Sequence, residues 1–255
     1  MSGIVMLAGR HPSASMVYYA LSEEFQISAV LLEDRVPLAT FLAHRIKKLG
    51  FRVVSGQVLF KMLALPLIQL SSKRRVKQII KDNGLKLEPI PKEVVIHIDS
   101  VNSDEAMRSL IRLAPDVVVV SGTRIIAERI LNCTTAFFIN THVGITPLYR
   151  GVHGAYWSLV SDDRGNCGVT VHRVDAGIDT GSIISQRRIT PGKDDTFVTY
   201  PLLQTVGVIP LLKRAIKDVI AGTVQYQVPP MGKSQLWTHP TLWQYLRGRF
   251  VSGIR

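Results

Sequence analysis

The run Asp116-Val117-Val118-Val119-Val120-Ser121-Gly122 decides how the chain is read. Consecutive valines between a polar start and a Gly-containing end describe a short strand buried on both faces. Such strands belong to parallel sheets with helices above and below. Upstream, Val94–Ile98 reads as a short strand, and Ser103 opens a helix through Ala114. Asp104 and Glu105 fall in its first turn, where carboxylates suit the helix dipole. Downstream, Ile125–Leu131 reads as helical and Phe137–Asn140 as the next buried strand. Towards the N-terminus, Ile4–Ala8 is a strand and Gly9–Ser15 a turn into a helix through Phe25, with Ser13 or Ser15 as its cap. Ile27–Leu32 is the second strand. This alternation predicts an α/β protein with a doubly wound, mostly parallel, Rossmann-like sheet.

Beyond residue 150, Val152–Val160 looks helical, and Gly168–Val174 and Ile183–Ile189 look like strands. Thr196–Ala221 has a helical pattern that Pro201 and Pro210 would interrupt or kink. Gln225–Gln227 reads as a short strand and Thr241–Arg249 as a last helix. The sequence thus divides into a catalytic domain over 1–200 and a C-terminal helical extension and tail over 201–255. A basic helical insertion at 35–86 interrupts the first of these.

With 46% apolar residues in 255, the chain has enough material for a packed core. Cys133 and Cys167 form no C-x-x-C pair, so neither a disulfide framework nor a zinc ribbon is supported. A reducing, cytoplasmic location is the expectation. Met1-Ser2-Gly3-Ile4 carries no basic n-region and reads as the approach to a first strand, not as a signal peptide. The most apolar uncharged run, Met62–Ser72, falls short of the ~20 residues that span a bilayer, so no integral membrane protein is expected.

The net charge of +12 is concentrated: Arg35–Lys86 holds twelve Lys or Arg against the single acid Asp82. An anionic partner fits this balance, whether a nucleotide-sugar, RNA or an acidic membrane surface; a solvated basic face fits it too. Within the insertion, Phe41-Leu42-Ile46-Leu49 and Val58-Leu59-Met62-Leu63 recur at helical spacing. A helical hairpin packed on the domain is favoured over an interfacial amphipathic surface. Gly9–Ser15 lacks both G-x-G-x-x-G and a P-loop lysine, so helix capping explains it better than phosphate binding.

Chemistry concentrates in two clusters. In Asn140-Thr141-His142, read as lying just past a strand, period-two alternation puts the amide and the imidazole on one side. The amide can donate to a developing oxyanion, and the imidazole can do so or move a proton. In Gly168-Val169-Thr170-Val171-His172 through Asp175-Ala176-Gly177-Ile178-Asp179-Thr180-Gly181, a Gly-rich loop presents Asp179. A carboxylate beside His142 would orient the ring and raise its pKa. No Gly-x-Ser-x-Gly elbow supplies a nucleophile, which favours direct attack by a substrate amine. His142, His172 and Asp179 show no metal-site spacing, so no metal is assigned. His172 reads either as a packed strand residue or as part of the site.

Asn140-x-His142, Pro147-x-Tyr149-Arg150-Gly151, Gly168–His172 and Asp175-x-Gly177-x-Asp179-Thr180-Gly181 together resemble the folate-dependent formyltransferases. That family includes the glycinamide ribonucleotide, methionyl-tRNA and sugar-nucleotide enzymes. The match is strongest over Pro115–Gln186. It implies 10-formyltetrahydrofolate as cofactor and Asn140, His142 and Asp179 as the catalytic trio. It also implies a pterin held by Ser121, Gly122, Thr123, Arg124, Ile125 and Ile126 on one side and Val174, Asp175, Ala176 and Gly177 on the other. Tyr149, Arg150 and His153 are candidates for contacting the acceptor.

Three departures shape the expected acceptor. Val143-Gly144-Ile145-Thr146-Pro147 replaces a Ser-Leu-Leu-Pro type of turn, the basic insertion is additional, and the tail is short for an RNA-binding barrel. The reading is therefore a small anionic amine, a nucleotide-linked amino sugar above all, with tRNA not expected. Alternatives are hydrolysis of formyltetrahydrofolate, or methionyl-tRNA, glycinamide ribonucleotide or a lipid-linked amine as acceptor. Contact with an acidic membrane through 35–86 and a homodimer through the insertion or tail remain open at this stage.

Overall fold

The computed structural model describes residues 3–255; the reading of the extreme N-terminus rests partly on Met1 and Ser2, which lie outside them. β1 (Ile4–Gly9) leads into α1 (Pro12–Ser22) and β2 (Ile27–Glu33). Neither Ser13 nor Ser15 caps α1. The N-cap is His11, without a side-chain bond, and Pro12 supplies the pre-set φ of the first turn.

The insertion follows as α2 (Leu38–Leu49), α3 (Phe51–Leu59), a π-helical turn at Phe60–Ala64, and α4 (Leu65–Asp82). Gly50, at φ +82°, breaks α2 from the rest. From Phe51 to Asp82 the helix is continuous for 32 residues, and by length and composition it is long and apolar enough to cross a membrane. The sequence reading, based on uncharged runs, stopped at Lys61 and so missed this. Val54, Gln57, Phe60, Ala64, Ile68 and Ser72 turn inward at three- and four-residue spacing, and Ile79 follows two turns on. Polar ties fix the helix to the domain: Ser72 to the Thr196 hydroxyl at 2.7 Å, Arg75 to Asp195 at 2.8 Å, and Gln57 to the His239 carbonyl at 2.7 Å. By contrast α2 buries none of its residues.

Next come β3 (Val95–Ile98), α5 (Asp104–Leu113), β4 (Val117–Ser121), α6 (Glu128–Leu131) and β5 (Phe137–His142). Ser103 caps α5, accepting from the Ala106 amide at 3.1 Å. The helix read over 125–131 shrinks to α6 because side chains hold the preceding backbone irregular. Arg124 N donates to Glu33 at 2.9 Å and Ala127 N to Asn102 at 2.7 Å. The chain ends with β6 (Arg150–Gly151), α7 (Gly154–Val160), β7 (Gly168–Arg173), β8 (Ile183–Arg188), α8 (Tyr200–Ile220), β9 (Leu236–Trp237) and α9 (Leu242–Val251).

The main sheet has seven strands in the order β3-β2-β1-β4-β5-β7-β8. The first five run parallel, whereas β7 pairs antiparallel with β5 and β8 with β7. The sheet is thus mostly parallel, with its winding reversed at β1/β4. Alternate residues of β1 go to opposite layers: Ile4, Met6 and Ala8 meet α1 and α8, and Val5 and Leu7 meet α5.

α8, which the sequence placed in a C-terminal extension, seals the sheet: Val208, Leu212, Ala215 and Ile216 share a core with Val169 and Val171. Pro201 sits in its first turn and Pro210 lies inside without ending it. Gln225–Gln227 forms no strand, although Gln227 N donates to the Ile183 carbonyl at 2.8 Å. The tail pairs elsewhere, β9 with β6.

Candidate active site

Pairing with β7 extends β5 two residues further than expected, so Asn140 and His142 lie within the strand and not beyond it. The antiparallel register sets Asn140 opposite His172. Cross-strand partners share a face, and Asn140 Nδ2 lies 3.0 Å from His172 Nε2. His172 Nδ1 is 2.8 Å from the Arg173 carbonyl, an acceptor only, so the proton sits on Nδ1 and Nε2 accepts from the Asn140 amide.

Asp179 arrives from the β7–β8 loop. It sits at φ +51°, a left-handed conformation that Asp and Asn tolerate better than most residues. Arg150 steadies this loop by donating to the Ile178 carbonyl at 3.1 Å. One Asp179 oxygen is 3.3 Å from Asn140 Nδ2 and 3.7 Å from His172 Nε2. The other is 3.3 Å from His142 Nδ1 and accepts the Gly151 amide at 2.9 Å. A single carboxylate thereby gathers Asn140, His142 and His172.

The electrostatics follow from that geometry. Burial alone would push the Asp179 carboxyl up, but the His142 charge, the hydrogen bond from His142 and the Gly151 amide hold it far below the usual carboxylate range. Burial of His142 disfavours its charge, yet Asp179 and the Tyr149 carbonyl outweigh burial and the nearby Arg150, and raise its pKa. The contacts agree: His142 Nε2 is 2.7 Å from the Tyr149 carbonyl while Nδ1 faces Asp179. An acceptor at each ring nitrogen favours the protonated form of His142. Gly144 permits this packing, since a Cβ there would lie 2.7 Å from His142 Nε2.

The other candidates separate. Tyr149 is buried, donates to Asp163 at 2.8 Å and stacks on Trp237, so only its carbonyl reaches the site. His153 is half-buried against Phe197 and 2.9 Å from His239, and desolvation lowers its pKa to about 4. Both rings point into the core and away from an acceptor. Arg150 stays beside the trio.

A cavity of about 430 Å³ lies between α6 and the β7–β8 loop, lined by Leu131, Phe138, Val174, Asp175 and Ala176 among others. Its size and mixed lining fit a small heterocycle. Asp175 orders the loop by accepting the Gly177 amide and the Thr180 hydroxyl, at 3.1 and 2.7 Å. Gly177 itself and Ser121–Ile126 do not line this cavity. Ser121 and Ile126 are buried, and Thr123 donates to the Arg124 carbonyl. Gly122, at φ +67°, packs on His11, and Ile125 is exposed. Arg124 turns away to the Asp99 and Asp34 carbonyls and Glu33. A second cavity, about 310 Å³, opens on Asp179 and is walled by Pro147, Ile183, Tyr226 and Gln227. The segment Thr180–Ser182 borders both cavities.

His172 is the residue that the sequence left undecided. Its role depends on strand register, which no local signal in the sequence encodes. Among the described residues, no group of three or more His, Cys, Asp or Glu is arranged to hold a metal ion.

Comparison with known proteins agrees with this geometry. The formyl transferase family profile matches residues 70–201, just over half of the chain. A methionyl-tRNA formyltransferase of Desulfotalea psychrophila is 32% identical over 155 residues, covering 57% of this chain and 47% of that protein. One from Kosmotoga olearia is 29% identical over 172 residues, covering 64% and 54%. The chain thus spans about half the length of the curated relatives it matches. Among solved structures, a sugar N-formyltransferase from a Shewanella species gives a TM-score of 0.55 at 15% identity, covering 92% of this chain and 76% of that one. Phosphoribosylglycinamide formyltransferase from Streptococcus pneumoniae gives 0.56 at 19%, covering 86% and 99%. These two likenesses show the shared fold.

The methionyl-tRNA formyltransferases overturn one expectation. The sequence sets tRNA aside because the tail looks short, but curated relatives that match more than half of this chain are methionyl-tRNA formyltransferases. Tail length carries no weight against that. The family profile matched over just over half of the chain, together with the sheet that it folds into, places the chain in the folate-dependent formyltransferase family.

Proposed function

We propose that this chain transfers a formyl group from 10-formyltetrahydrofolate to a primary amine that attacks directly. One observation carries the reading: the Asp179 carboxylate contacts Asn140, His142 and His172 at once, at the ends of paired strands and between two cavities. When bound, the folate supplies the formyl carbon, with Val174, Asp175 and Ala176 as the wall that would hold it. The chain's own residues do the rest. The His142 imidazolium, buried in a low-dielectric site, offsets negative charge developing on the formyl oxygen. The Asn140 amide is held from below by His172. Its longer bond to Asp179, 3.3 Å, is the weaker one, so that N–H is the one available to the same oxygen. Asp179 favours the charged form of His142 and lies at the mouth of the second cavity, placed to relay the amine's proton, which would end on the folate nitrogen that gives up the formyl group.

For the acceptor, our reading is a small anionic amine, with a nucleotide-linked amino sugar first. A cavity of about 310 Å³ suits a sugar-sized head, and the net charge of +12 suits an anionic carrier. A second reading, methionyl-tRNA, is favoured by the relatives. Incubation with 10-formyltetrahydrofolate and a panel of nucleotide-linked amino sugars, beside charged initiator tRNA, decides by mass spectrometry. One formyl unit gained by a single sugar member is the expected result. Formylation of the methionyl-tRNA alone would replace the sugar reading. Folate turnover without any amine would point to water as acceptor.

A further inference from the structure

Away from the trio, the helix Phe51–Asp82 has a second face. Its inward stripe is buried, yet Leu59, Met62, Leu63, Leu67 and Leu70 face solvent; Met62 and Leu67 are both 68% exposed. Around residues 59–70 the helix is apolar on most of its circumference, with Lys61 and Gln69 its only polar residues. α9 packs beside it, Tyr245 against Phe60 with ring centroids 5.1 Å apart, and shows its own outward stripe of Trp243, Leu246, Phe250 and Val251. Between the two helices runs a groove of about 1000 Å³ with an apolar floor that includes Leu63, Leu67 and Phe250. Arg74, Arg75, Arg249 and Arg255 line it against one acid, Asp194. No acid occurs anywhere in Arg35–Lys81 or from Gln235 to the end of the chain.

We propose that this face docks on an anionic lipid bilayer, its aliphatic side chains entering the headgroup boundary while the arginines meet lipid phosphates. Charge complementarity selects the occupant. A second copy would bring an equally basic face and be repelled. RNA would satisfy the arginines but would leave a ridge of leucines and Phe250 without a partner, because nucleic-acid interfaces are polar and charge-rich. A bilayer surface meets both at once, as for interfacial helices with cations flanking an apolar face. The ties from Ser72, Arg75 and Gln57 keep the helix against the domain, so it lies along the surface and does not cross it. This proposal stands on its own residues and is independent of which amine is formylated.

Co-sedimentation with vesicles tests it. Wild type is expected to bind phosphatidylcholine vesicles containing roughly one third phosphatidylglycerol, at least about tenfold better than pure phosphatidylcholine, with salt weakening the binding. Leu67→Glu with Phe250→Glu, and separately Arg74→Glu with Arg249→Glu, should each lower that binding at least about tenfold. Arg108→Glu with Arg112→Glu, an equal charge change on exposed positions of α5, should retain most of it. All these side chains are exposed, so unchanged circular dichroism is expected and checks that each variant folds. Absence of binding to anionic vesicles overturns the proposal, and so does an equal loss in the α5 control. Retention of RNA through the same residues, with vesicles left unbound, overturns it in favour of RNA.

Discussion

At the ends of β5 and β7, charge is buried and answered: Asp179 is 13% exposed and meets two imidazoles, an amide side chain and a backbone N–H. Along Phe51–Asp82 the arrangement is reversed. Leucines stand in water, Arg74 has no ion pair among the described residues, and acids are absent up to Asp82. The first region pairs its carboxylate and imidazoles internally, and the buried Arg150 Nε and Thr146 Oγ1 beside it are left without a hydrogen-bond partner. The second leaves apolar area and positive charge unmatched, and unmatched surface of that kind marks a contact. One chain therefore carries an internally paired site and an unmatched face, and the two can be broken separately.

The sharpest break is Asp179→Asn. Asn accepts the left-handed backbone, so the loop survives, but the charge that keeps His142 protonated is gone. Formyl transfer on the panel acceptor should fall about a hundred- to a thousandfold, read as kcat. Vesicle binding should not change.

A smaller effect is expected where the two regions share scaffold. A Cβ on Gly56 would collide with the Trp243 ring, so Gly56→Val wedges α3 from α9. Overpacking of this sort costs about 1–3 kcal/mol and should lower the melting temperature by several degrees, while kcat of the folded enzyme stays near wild type. A melting temperature equal to wild type would show that α9 is not seated on α3 as described.

The smallest expected effect is on stability against pH. Since His142 is raised, its contribution is complete below about 6.5 and is lost as pH climbs through its folded value. Since Asp179 is lowered, its contribution is complete above about 3.9 and is lost only in strong acid. The melting-temperature difference between wild type and Asp179→Asn should accordingly be widest in the mildly acidic to neutral range and shrink in alkali. A difference that grows with alkali would mean that His142 is neutral in the folded state.

Much of this was legible in advance, for physical reasons. Val117–Val120 could only be a doubly buried strand, and Asn140, His142 and Asp179 were nameable because polar groups at strand ends are costly without a function. Contacts set by register or by distant packing were not legible. His172 joins the site through its pairing with Asn140, and Tyr149 and His153 leave it because Trp237 and Phe197 take their rings into the core. The anchoring of Ser121–Ile126, expected to border the pterin, was also not legible: Glu33 and Asn102 fasten that stretch, and neither partner is near in sequence. Counting uncharged residues concealed the long helix, since Lys61 interrupts the run but not the helix.

The most direct measurement runs two assays on two variants. Asp179→Asn and the pair Leu67→Glu with Phe250→Glu are compared with wild type for formyl transfer from 10-formyltetrahydrofolate and for binding to anionic vesicles. The account predicts a crossed result: Asp179→Asn loses transfer and keeps vesicle binding, and the double variant does the reverse. Near-wild-type transfer by Asp179→Asn would contradict the assignment of the chemistry to the carboxylate that joins Asn140, His142 and His172.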